Sequence, residues 1–94
     1  MVEWRPAAAG GYEGFMKAIL KVFLLRALDR APGAMSEEWL VTAATNSYPQ
    51  CLVSDVRSAL REMETDGYLV GDRDRLTDQL VWGLTTEGRL RAKS

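Results

Sequence analysis

The stretch Val56-Arg57-Ser58-Ala59-Leu60-Arg61-Glu62-Met63-Glu64-Thr65-Asp66-Gly67-Tyr68-Leu69 changes its period partway along. Val56, Leu60 and Met63, with Val53 before them, recur at helical spacing and make one apolar stripe. Gly67 then supplies the left-handed stop that a helix end favours, and Tyr68-Leu69-Val70 reads as a strand. The helix is expected to begin near Pro49, which a first turn tolerates, and to end at Asp66. On that phase Cys51, Ser54, Ser58, Arg61 and Thr65 face away from the stripe. Gln50 and Arg57 lie toward one edge of this outward face and Asp55 toward the other. The face is small and polar, which suits docking onto another molecule.

Downstream, Leu80, Trp82 and Leu84 alternate as a second strand does. Between the strands lies Gly71-Asp72-Arg73-Asp74-Arg75-Leu76-Thr77-Asp78, so a hairpin with a polar tip is expected. Thr85 caps a last short helix that runs through Glu87 and Leu90 and carries Arg89, Arg91 and Lys93 toward its C-terminus, where cations are favoured. Upstream, Ser36 with Glu37 and Glu38 opens a short helix whose apolar side is Trp39, Leu40, Ala43 and Ala44. Trp39 and Trp82 continue apolar patterns and are assigned to packing.

Before that comes a helix in which eleven of the fourteen residues from Phe15 to Leu28 are apolar, stopped by Ala31-Pro32-Gly33. Its apolar positions cover most of the circumference and leave a narrow polar strip at Glu13, Lys17 and Lys21. Such a helix needs cover on two sides. A chain of 94 residues has little to spare for the second, so a partner subunit is expected there, making the protein a homodimer. Residues 1–12, with Pro6, three alanines, Gly10 and Gly11, read as a flexible arm, and residues 13–94 as one domain.

Composition narrows the function. The apolar run from Phe15 to Leu28 is interrupted by Lys17, Lys21 and Arg26 and falls short of the roughly 20 apolar residues a membrane span needs, and the N-terminus lacks the apolar core of a secretory signal; no membrane partner and a cytoplasmic location are expected. One cysteine and no histidine rule out serine or cysteine triads with a histidine base and zinc sites built on histidine. No catalytic pair, cofactor site or metal site is expected, and the chain is read as a binding protein rather than an enzyme. Cys51 has neither a second cysteine nor a histidine beside it, so an unreactive thiol is expected rather than an oxidation sensor. The net charge is −1, distributed unevenly: residues 36–67 carry two basic and six acidic groups, while residues 80–94 carry three and one.

The order of helix, helix, helix, hairpin and short helix resembles the winged helix-turn-helix family, including MarR-, ArsR- and PadR-type small bacterial regulators. The likeness rests on the quoted stretch and on Trp82-Gly83-Leu84-Thr85-Thr86-Glu87-Gly88-Arg89, which resembles the second wing strand running into the last helix. The resemblance covers about residues 13–92 and implies an α+β, mainly helical fold with a three-helix core, a β-hairpin wing and a short C-terminal helix. The resemblance implies a transcriptional regulator that binds double-stranded DNA, its third helix in the major groove and its wing on the backbone or minor groove. The matching positions are Gln50, Ser54, Arg57, Ser58 and Arg61 on the helix and Arg73 and Arg75 on the wing. Asp55 on the helix and Asp72, Asp74 and Asp78 on the wing depart from a typical DNA reader, because carboxylates repel phosphate. The competing reading is a winged-helix module that binds a protein through the acidic central segment.

Overall fold

The computed structural model describes residues 4–93, with side-chain surroundings from Gly14 onward. The elements are α1 (Trp4–Arg30), β1 (Met35–Ser36), α2 (Glu37–Ser47), α3 (Val53–Thr65), β2 (Leu69–Arg73), β3 (Leu80–Leu84) and α4 (Thr86–Lys93). This is the expected α+β winged helix, mainly helical, with one addition: β1 makes the hairpin a three-stranded antiparallel sheet in the order β1-β3-β2.

α1 starts at Trp4, so most of the segment read as an arm is helical, and residues 1–3 lie outside the described residues. Pro6 falls in the first turn, where its missing N–H has no intrahelical partner to lose, and the alanines after it are the strongest helix formers. From Met16 the helix buries a stripe at four-residue spacing: Met16, Leu20, Leu24 and Leu28. These meet Leu40 and Ala44 of α2, Val56, Ala59, Leu60 and Met63 of α3, Leu69 of β2 and Trp82 of β3 in a single core.

The Ser36 hydroxyl accepts the Trp39 N–H at 3.1 Å and caps α2 as expected. Trp82 is buried, but Trp39 is 50% exposed, contrary to its assignment to packing. The buried stripe of this 11-residue helix is Leu40 and Ala44, and the neighbouring position lies about 100° round the axis, outside the stripe.

α3 starts four residues later than expected. Tyr48 closes α2 by donating its N–H to Ala44 O at 2.8 Å, and the Cys51 N–H turns back to Tyr48 O at 2.9 Å. Pro49 and Gln50 therefore form a turn, and Cys51 is buried rather than outward, because the helical phase does not extend to it. At the other end, Gly67 adopts φ 88° while the Tyr68 N–H bonds to Met63 O and the Gly67 N–H to Glu64 O, the paired closure typical of a glycine-stopped helix.

In the sheet, Met35 lies opposite Trp82 on one side, and Gly71 lies opposite it on the other. A Cβ on Gly71 would sit 3.0 Å from the Trp82 ring, so the glycine lets the indole lie flat across β2. Thr85 locks the wing to α4: its hydroxyl donates to Gly67 O at 2.6 Å and accepts the Gly88 N–H at 3.0 Å. A Cβ on Gly88 would come within 2.0 Å of the Tyr68 carbonyl oxygen, so α4 packs this closely only with glycine there.

Candidate nucleic-acid interface

The phase of α3 is set by Val56, Leu60 and Met63, which point into the core. Ser54, Arg57 and Arg61 are thereby exposed and Ser58 is half-buried at the margin. Ser58, Arg61, Glu62, Thr65 and Asp66 line an open hollow along this face. Arg61 makes no ion pair among the described residues and stands over the hollow with its fork of donors available. Gln50 is exposed but occupies the turn leading into α3, not the helix itself.

Two of the anticipated charges take partners within the domain. The Asp55 carboxylate accepts the Leu52 N–H at 2.8 Å, so it is drawn onto the positive end of α3. Arg57 donates its Nε–H to Glu37 Oε2 at 3.1 Å, and the other Glu37 oxygen accepts the Trp82 Nε1–H, also at 3.1 Å. Glu37 therefore joins the first turn of α2, the middle of α3 and the central wing strand. Sequence reasoning placed Glu37 only as a first-turn carboxylate; its partners lie 20 and 45 residues away, beyond any local pattern.

A second cluster lies at the flank of α3. Lys17 and Lys21, one turn apart on α1, both donate to Glu62, at 2.5 and 2.9 Å. The two ammonium groups hold the Glu62 carboxyl below the usual range, Lys17 first and Lys21 second. The signal was the polar strip on an otherwise apolar helix.

On the wing, Arg73 donates from Nη1 to Asp78 O at 2.9 Å, with the Asp78 carboxylate 3.7 Å away. Asp72 accepts the Arg73 N–H and Asp74 accepts the Leu76 N–H, so both carboxylates bond within the loop. Arg75 makes no ion pair among the described residues. Cys51 lies inside the domain with its thiol 4.0 Å from Ala44 O; burial, then the Asp55 charge, push its pKa up. Among the described residues no three potential ligands converge as a metal site requires, and no helix is long and apolar enough to cross a membrane.

The architecture these surfaces share is that of winged-helix regulators. TA0346 from Thermoplasma acidophilum, assigned as a transcriptional regulator, superposes with a TM-score of 0.69 at 16% identity, over 84% of this chain and 78% of that one. Bordetella bronchiseptica BpsR, described with the regulation of its DNA binding by 6-hydroxynicotinic acid, matches with a TM-score of 0.62 at 17% identity, over 99% and 69%. A double mutant of Lactococcus lactis ZitR matches with a TM-score of 0.63 at 15% identity, over 79% of this chain, which spans 47% of that structure. At these identities the likeness is one of fold. No protein-family model and no curated protein matches the chain.

Proposed function

We propose that this chain is a DNA-binding transcriptional regulator that acts as a homodimer, laying the outward face of α3 in the major groove and gripping flanking DNA with the β2–β3 wing. The observation that carries the reading is the coincidence, on a winged-helix fold, of a small polar face at Ser54, Ser58 and Arg61 with a wing bearing Arg73 and Arg75. Serines let the helix backbone approach base edges, and Arg61 is the candidate base reader. Arg57 spends its Nε on Glu37 and keeps its terminal nitrogens for a phosphate or base edge. Gln50, at the entry to α3, suits a phosphate contact. Asp55, Asp72 and Asp74 accept nearby backbone N–H groups but keep their charge, so they still oppose the duplex and a shallow salt dependence is expected. The assignment of TA0346 as a regulator and the DNA binding of BpsR agree with this role.

The dimer reading rests on α1. Phe15 is 65% and Val22 48% exposed on its outward side, and Val22 shares a hollow with Arg91 and Ala92 of α4, next to exposed Leu90. A second copy of α1 is the occupant of matching length and character, and symmetry would present two α3 faces to a palindromic site.

The test is duplex binding across a salt series, with ligands drawn from a random-sequence selection. Arg61→Ala should relax sequence preference and weaken the selected site by about 1–3 kcal/mol. Arg73→Ala and Arg75→Ala should weaken all sequences alike and flatten the salt dependence. If duplex DNA does not bind even at low salt and the arginine variants behave as wild type, the protein-interaction reading replaces this one.

A further inference from the structure

Glu37 stands at the first position of α2, where the Ser36 cap fixes the turn, and its carboxylate is committed in two directions. Oε1 accepts the Trp82 Nε1–H and Oε2 accepts the Arg57 Nε–H, each at 3.1 Å. An exposed Arg–Glu pair ordinarily holds neither side chain in place, because both are free to move. This pair differs. The Glu37 side chain is only 17% exposed, and its other oxygen is tied to an indole that belongs to the core, so the acceptor offered to Arg57 is fixed to the scaffold.

The consequence falls on Arg57. A guanidinium is planar and rigid, so fixing its Nε–H fixes the direction of its two terminal nitrogens. The Arg57 side chain is 58% exposed, so that end of the fork opens to solvent. On α3 it stands one turn before Arg61, at the edge of the face that carries Ser54 and Ser58. A mobile arginine serves a phosphate, which accepts from many directions, whereas a fork held in one direction suits two acceptors at a fixed spacing. In the major groove that pair is guanine O6 and N7. Pairing also cancels charge: Glu37 and Arg57 together are neutral, so their approach to DNA releases few counterions.

We propose that Glu37 is a positioning residue that makes Arg57 a guanine reader, holding its fork toward one base pair of the site. This rests on the DNA-binding reading above and assigns Arg57 to a base edge instead of a phosphate. In Glu37→Gln the side chain keeps an acceptor for the indole but turns an amide donor toward the Arg57 Nε–H. The arginine is then released and acts as a general cation.

The experiment uses the full chain, the duplex recovered from random-sequence selection, and the variants Glu37→Gln, Arg57→Ala, Arg57→Lys, the double variant E37Q/R57A and Arg61→Ala. Affinity is measured across a salt series for that duplex, for each single base-pair change in it, and with 7-deazaguanine, which lacks the N7 acceptor, at each guanine in turn. Urea melts verify that each variant is folded under assay conditions. Arg57→Ala should lose about tenfold of discrimination at one guanine and become indifferent to 7-deazaguanine there, with a salt slope near that of wild type. Glu37→Gln should lose about fivefold at the same guanine only, and steepen the salt slope by about one unit as the freed arginine meets phosphate. The double variant should discriminate no worse than Arg57→Ala, because Glu37 acts through Arg57. Arg57→Lys, a point charge, should not restore discrimination. If Glu37→Gln discriminates as wild type, or loses preference at every position alike, Glu37 has no positioning role. If Arg57→Lys discriminates as wild type and Arg57→Ala flattens the salt slope, Arg57 is a phosphate contact and the proposal is overturned. In either case a relaxed preference in Arg61→Ala leaves the DNA-binding reading standing. If the wild type binds no duplex at low salt, both fail.

Discussion

Glu37 spends both carboxylate oxygens on groups that the rest of the fold leaves without another partner. The indole N–H of Trp82 is buried with its ring, and Glu37 Oε1 is its acceptor. Glu37→Ala should therefore lower stability by about 1–3 kcal/mol, the penalty for stranding a buried donor, read as a fall in the urea midpoint. Glu37→Gln keeps an acceptor for the indole and loses the charge toward Arg57, a half-exposed pair, so its loss should stay below about 1 kcal/mol. Equal losses for the two variants would mean that the carboxylate's charge, not its acceptor, holds the wing. Cys51 illustrates the opposite case, a group whose environment silences it. Its pKa is raised in the fold, so the unfolded chain gives up the thiol proton first, and this group's contribution to stability falls as pH rises past the ordinary thiol value. Alkylation by iodoacetamide at neutral pH should accordingly proceed at the rate of unfolding, and peroxide should leave DNA binding unchanged; rapid labelling of the native protein would contradict the buried placement.

α1 and α3 meet at Glu62, where two helices distant in sequence share one carboxylate between Lys17 and Lys21. Because the Glu62 pKa is lowered in the fold, the cluster's stabilisation is present above the ordinary glutamate range and is lost as pH falls through the lowered native value. Thermal melts from neutral to acidic pH should show wild type above Glu62→Gln at neutral pH and the two curves converging in acid; a gap that persists in acid would assign the stabilisation to packing instead. The phase of α3, and with it the exposure of Ser54, Ser58 and Arg61, was legible because Val56, Leu60 and Met63 fix which side is inward regardless of where the helix starts. Its start was not legible, since Pro49 fits a first turn and a preceding turn equally well, and the choice depended on Tyr48 closing α2. That ambiguity moved Gln50 off the helix and Cys51 into the core. β1 left no trace because two residues are too few to alternate. The start of α1 at Trp4 was not legible either, because Gly10, Gly11 and Gly14 disfavour a helix that the alanines between Pro6 and Gly10 favour. The partners of Arg57, Lys17 and Lys21 are long-range and belong to the packing, not to any local pattern.

For the whole molecule the question is what covers the outward side of α1. At 1.5 Å per residue its 27 residues make a rod of about 40 Å, in a molecule whose longest dimension is 54 Å. The sheet, α2 and α3 draw on the stripe from Met16 to Leu28, while Phe15 and Val22 remain turned away from the core with Leu90 of α4. Lys17 and Lys21 are engaged with Glu62, whereas Arg26 of this helix and Arg91 of α4 line the hollow beside Val22, so a symmetric pairing must seat these guanidiniums at its rim. Sedimentation equilibrium at micromolar concentration should therefore return twice the 10.5 kDa chain mass. Val22→Glu places a charge where a second copy would bury it and should shift the equilibrium to monomer, while an exposed glutamate at that position leaves the fold itself intact by circular dichroism. The same variant separates assembly from recognition. A monomer retains its α3 face and wing, so it should still bind a half-site weakly, but the gain from engaging both halves of a palindrome at once should disappear. A wild type that sediments as a monomer at high concentration would remove the dimer from the proposed function, and a Val22→Glu variant that stays dimeric would move the interface elsewhere on the molecule.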